Sequence, residues 1–133
     1  VTRSLAESRG ALYAVLFQPT LHFAKHWSRD ESKMWHARRP GDGEEISRRA
    51  AALYAAAIPA VSRWGRDGHT QVVDLTRVYE NTSETVYSDS VHFSGERGYA
   101  MLTSEIEKQG LVGEIARRYR DWESSPVTWA PQP

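Results

Sequence analysis

The chain has no cysteine among its 133 residues. That excludes disulfide staples, thiolate nucleophiles and Cys-ligated zinc, and it leaves the redox compartment open. There is no surplus of charge either, since Lys plus Arg and Asp plus Glu both number 17. A net charge of zero provides no electrostatic footprint for nucleic acid or for an anionic membrane surface. No apolar run approaches the length of a bilayer span; the longest, Ala11 to Phe17, is the size of a strand. The opening VTRSLAESRG lacks the apolar stretch of a secretory signal. These absences describe a soluble chain whose localisation is unknown.

Hydrophobic residues make up 40% and charged residues 26%, the balance of a single globular domain. Thr2 to Arg9 reads as the end of a helix closed by Gly10. The run ALYAVLF (11–17), stopped by Gln18-Pro19, predicts a strand buried on both faces. Ser28 with Glu31 forms one capping box, and Asp42 with Glu45, after the turn Pro40-Gly41, forms another. From Glu44 a helical stripe follows, made of Ile46, Ala50, Leu53, Tyr54, Ala57, Val61 and Trp64. Pro59 should kink its last turns. Beyond Gly65 and Gly68, TQVVDLT (70–76) predicts a second strand. The loop ENTSET leads to VYSDSVHFSGERG, with a helix from about Ser94 to Gly110 carrying Tyr99, Leu102 and Ile106 on one face. Leu111, Ile115, Tyr119 and Trp122 mark one more helix.

This order is α/β, with a right-handed parallel crossover between the two strands. Residues 1–123 form the expected domain portion and 124–133 an irregular, proline-rich tail. Two parallel strands cannot cover their own faces and edges. The chain therefore reads as part of a larger, doubly wound sheet with flanking helices, with self-association as one way to cover the exposed edge.

Asp89 and His92 are the candidate catalytic residues. A carboxylate can accept a hydrogen bond from one imidazole nitrogen, which fixes the tautomer and frees the other nitrogen to act as a base. Ligand sites in parallel sheets gather on loops at the carboxyl ends of strands, where this pair lies. By spacing alone, a loop ion pair near a helix start is the plainer reading. Other candidates are weaker. His22 and His26 have no evident third metal ligand and read as surface histidines. Trp27, Trp35 and Trp64 could line an aromatic surface, although the spacing of Trp64 places it in the core. Gln18-Pro19 reads as a strand stop, Arg38-Arg39 and Arg117-Arg118 as solvated faces, and Ser94 as an N-cap. Ser88 and Ser90 merely flank the motif.

The run VVDLTRVYENTSETVYSDSVHFSGERGYAMLTSEI resembles the last block of SGNH (GDSL-type) hydrolases. Its matching features are Asp74-Leu75-Thr76 at a strand end, then Asp89-Ser90-Val91-His92, then Gly98 and Ala100 in the final helix. VLFQPTL and the Tyr-containing helix beyond it look like the preceding strand and helix, so the resemblance covers about residues 5–110. It implies a flavodoxin-like sheet, with His92 as general base and Asp89 as its orienting carboxylate, acting on small-molecule esters without metal or organic cofactor. The family's Gly-Asp-Ser nucleophile block and its oxyanion Gly and Asn have no counterpart here. By the family's chain order they belong before Val1. The expectation is the C-terminal part of a serine esterase, inactive alone. The alternative is a non-catalytic α/β module that acts by self-association or partner binding.

Overall fold

The computed structural model describes residues 2–8, 10–38, 43–67, 70–89 and 91–124. The turn Pro40-Gly41, Asp42 with its capping box, Gly68, Ser90 and the tail from residue 125 lie outside the described residues. In order, the elements are α1 (Thr2–Ser8), β1 (Tyr13–Phe17), α2 (Arg29–Arg38), α3 (Gly43–Ser62), a 3-10 turn (Trp64–Asp67), β2 (Thr70–Asp74), α4 (Gly95–Lys108) and α5 (Leu111–Ser124). The architecture is mixed α/β.

Gly10 turns the chain out of α1 at φ 66°, a conformation that disfavours side chains with a Cβ. β1 then pairs parallel with β2, in register from Tyr13 opposite Thr70 to Phe17 opposite Asp74. The ladder runs one bond further, Leu75 N donating to Phe17 O at 3.1 Å. Alternation along the strands sorts the side chains between two helical layers. Leu12, Ala14, Val73 and Leu75 pack with Leu102, Ile106 and Leu111 of α4 and α5. On the opposite face, the Phe17 ring meets Tyr54 of α3 edge-on at 6.5 Å.

Burial departs from expectation in three places. Val73 is fully buried, but β1 is only half-buried and Leu16 is 44% exposed. α3 continues past Pro59 to Ser62, yet Leu53 and Trp64 of its expected stripe lie in solvent. Two strands are too narrow to cover the whole stripe, so Ile46, Ala50, Tyr54, Ala57 and Val61 are no more than half-buried. On α5, Leu111 is buried, while Val112, Ile115, Tyr119 and Trp122 form an exposed apolar row. The helix extends through Ser124, where the sequence predicted the tail to begin.

At Asp74, the last residue of β2, the outer edge is met by a side chain. Gln109, just beyond α4, donates from Nε2 to Asp74 O at 2.7 Å and accepts from Asp74 N at 3.0 Å. Among the described residues, no backbone group pairs with the outer edge of β1.

A second core lies beneath the loop that follows β2. Leu21, Tyr79, Val86 and Tyr87 are buried, with Trp27, Val78, Phe93 and Met101 packed around them. The rings of Tyr79, Tyr87 and Phe93 meet pairwise at 5.4–5.5 Å. Tyr79 donates its hydroxyl to Gly98 O at 2.8 Å, and burial pushes that hydroxyl up to about 12. Gly98 of α4 packs against this loop, and a Cβ there would sit in ordinary contact, 3.6 Å from Val86 O. Ser94 is extended at the N-cap position of α4, but its side chain makes no cap bond. Instead its amide donates to Val86 O at 2.7 Å, which ties the helix entrance to the loop. Among the described residues, no helix is long and apolar enough to cross a membrane.

Leu21→Ala removes a side chain from this second core and should lower unfolding free energy by about 2–5 kcal/mol. Leu53→Ala, on the exposed side of α3, should change it by less than about 0.5 kcal/mol. Urea denaturation midpoints of the two variants provide the check.

Candidate active site

Tyr87 and Phe93 form an antiparallel bridge, and inside it Ser88 N donates to His92 O at 2.9 Å. The chain between them must reverse within a few residues, and Asp89 organises that reversal. Its Oδ1 accepts from Val91 N at 2.9 Å and from His92 N at 2.8 Å. Its Oδ2 lies 2.7 Å from His92 Nδ1. An ionised carboxylate can only accept, so Nδ1 carries the hydrogen and Nε2 of the neutral ring keeps its lone pair. The Val91 amide, then the His92 imidazole and amide, hold the Asp89 carboxyl far below the usual carboxylate range.

The imidazole stands out from this turn, its side chain 75% exposed against 31% for Asp89. Among the described residues, nothing is hydrogen-bonded to its Nε2. His92 borders an open groove of about 410 Å³, lined mainly by apolar groups such as Leu16, Leu75, Phe93, Leu102 and Ile106. Leu75 directly follows β2, and Gln18 and Pro19 directly follow β1, so the groove reaches the carboxyl ends of both strands.

Gln18 is more than a strand stop. Its Nε2 donates to Val91 O at 2.9 Å, and its own carbonyl accepts from the Tyr54 hydroxyl at 2.8 Å. The turn bearing His92 is thus tied to the end of β1. A polar residue between an apolar strand and a proline was the available signal, but nothing local named its partner.

The other sequence candidates do not join the site. Ser88 Oγ donates to His92 O at 3.2 Å, and neither it nor Ser94 is bonded to the imidazole. Ser90 lies outside the described residues. His22 is not a surface residue: its ring packs edge-on against Trp35 at 4.2 Å and Trp27 at 5.9 Å, and burial lowers its pKa. Trp35 is buried and Trp27 half-buried, which makes both packing groups, and Trp64 is the exposed one. Among the described residues, no group of three or more His, Asp or Glu side chains could hold a metal ion. Arg117 and Arg118 pair with Glu114 on a solvated face of α5.

Comparison with protein-family models, with curated proteins and with solved structures finds no match to the chain.

A carboxyl held below its ordinary value stabilises the fold above the unfolded pKa, and the effect fades as pH falls through the folded pKa. The stability gap between wild type and Asp89→Asn should therefore be fully open at neutral pH and begin to close below about pH 4, the ordinary aspartate value. Urea midpoints measured at pH 7 and pH 3 would show it. A gap that stays constant would mean the carboxylate is not engaged as described.

Proposed function

We propose that this chain supplies the acid–base half of a serine-dependent hydrolase. More narrowly, it corresponds to the C-terminal part of an SGNH-type esterase domain with a flavodoxin-like sheet. The observation that carries this reading is the 2.7 Å contact between His92 Nδ1 and Asp89 Oδ2, with Nε2 left open beside a groove. His92 takes the proton from a serine hydroxyl as that oxygen attacks an ester carbonyl, and Asp89 stabilises the imidazolium that forms. The imidazolium then returns the proton to the departing alkoxide. Water repeats the sequence on the acyl-serine, and no metal enters the scheme.

The serine and the oxyanion donors belong to a segment that these 133 residues do not contain. Among the described residues, the edge of β1 is unpaired and the groove beside it uncovered, and a larger parallel sheet would continue there. A second reading rests on the exposed row Val112, Ile115, Tyr119 and Trp122, which favours an α/β module that works by self-association.

The test joins the chain to the segment encoded immediately upstream and assays a p-nitrophenyl ester. Turnover should be abolished by His92→Ala, and Asp89→Asn should lower kcat by about 10⁴-fold, the scale of a lost orienting carboxylate. The 133-residue chain alone should be a poor esterase. Undiminished turnover in His92→Ala would sink the hydrolase reading. If the joined protein shows no turnover and sedimentation finds dimers dispersed by Trp122→Glu, the self-association reading stands in its place.

A further inference from the structure

The loop that carries Asp89 and His92 is anchored from a distant part of the sequence. Glu31 opens α2 in a reciprocal capping box, its amide donating to Ser28 Oγ at 3.1 Å and its Oε2 accepting from Ser28 N at 2.8 Å. A capping glutamate ordinarily leaves its other oxygen to water. Here the side chain has no solvent exposure, and Oε1 accepts from Val86 N at 3.0 Å and Tyr87 N at 3.2 Å, 55 and 56 residues away. Lys25, whose side chain is also buried, places Nζ 3.1 Å from Oε2. The same ammonium reaches Thr82 O at 3.0 Å and Glu84 O at 3.1 Å, and Ser28 Oγ meets Thr85 Oγ1 at 2.8 Å. The whole approach to the site, from residue 82 to residue 87, is thus fastened to the segment 25–31.

What is fastened leads straight to the acid–base pair. Val86, whose amide Glu31 holds, accepts from Ser94 N at 2.7 Å, and Tyr87 bridges Phe93. Asp89 and His92 lie inside that bridge. Moving the amides of residues 86 and 87 moves both ends of the turn.

We propose that Glu31, held by Lys25, is the positioning residue of the Asp89–His92 pair: it sets the turn from which His92 presents its free nitrogen. The functional consequence rests on the hydrolase reading above, whereas the geometry does not. Chemistry explains why a carboxylate is required. Oε1 and Oε2 must both accept, from amides on one side and from Ser28 N and Lys25 Nζ on the other. A glutamine would turn an amide donor toward one of those donor pairs, however it rotated. Burial alone would push the Glu31 carboxyl up, but the amides of Ser28 and Val86 and the Lys25 ammonium outweigh it and keep the group ionised.

The test reads the turn itself. In the 133-residue chain, the Asp89 carboxyl is titrated by carbon NMR in wild type, Glu31→Gln and Asp30→Ala. Asp30→Ala weakens the same helix start, where Asp30 is exposed and pairs with Lys33, but leaves every bond to residues 82–87 in place, so it controls for lost stability. Glu31→Gln should raise the proton affinity of Asp89 at least tenfold, while Asp30→Ala leaves it unchanged. An unchanged Asp89 titration in a folded Glu31→Gln protein would overturn the proposal, as would equal shifts in both variants. Native-state hydrogen exchange on the wild type covers the case in which Glu31→Gln does not fold. The amides of Val86, Tyr87, His92 and Ser94 should then open as one unit with Ser28; separate opening would overturn the proposal equally. Neither readout depends on esterase activity. If His92 proves dispensable for turnover while Asp89 responds as expected, the positioning stands and only the hydrolase reading falls.

Discussion

A carboxylate shut away from water needs a donor for each of its lone pairs, and that demand at Glu31 governs much of this molecule. Four groups meet it: two backbone amides from a distant loop, the amide of Ser28, and the Lys25 ammonium. The net energetic value of such a pair is small, because taking two charges out of water costs about as much as their attraction returns. Breaking it by removing one partner is another matter, since the remaining charge is left uncompensated. The pair therefore acts less as a reservoir of stability than as a selector among loop conformations. The arrangement of residues 82–87 seen here satisfies each of these bonds at once.

The two apolar cores divide the work. The one around Val73 and Leu111 holds the helices to the sheet, and the one around Leu21, Tyr79 and Tyr87 supports the site loop. Tyr87 illustrates the coupling: its ring is buried in that core, its amide is held by Glu31, and it bridges Phe93 on the far side of the turn. An exposed imidazole with a fixed tautomer needs such a base. An open Nε2 calls for access to solvent, while its orientation calls for rigidity two residues away. The chain separates these demands by burying the support and exposing the tip.

Much of this was legible in the sequence where the signal is local. Gly10 after α1, the capping box of Ser28 and Glu31, the two strands and the three-residue spacing of Asp89 and His92 all depend on neighbours within four residues. What escaped depends on partners far along the chain. Nothing around Glu31 reveals that Val86 and Tyr87 come to it, and nothing around Gln18 reveals Val91. Helical spacing identified apolar stripes on α3 and α5 but not how much of each is covered. Leu53 and Trp64 are exposed because a sheet of two strands is narrower than the helical stripe beside it. His22 misled for the opposite reason: a polar residue near two tryptophans can pack as a ring.

Gln109 gives the small sheet a handedness of assembly. A primary amide has the same donor and acceptor as a peptide unit, and by matching both groups of Asp74 it occupies the place where another strand would begin. The carboxyl end of β2 is thereby capped against edge-to-edge pairing, without spending any backbone on the task. A strand that joined β2 would have to displace this amide at Asp74, whereas among the described residues no backbone group stands in its way at β1.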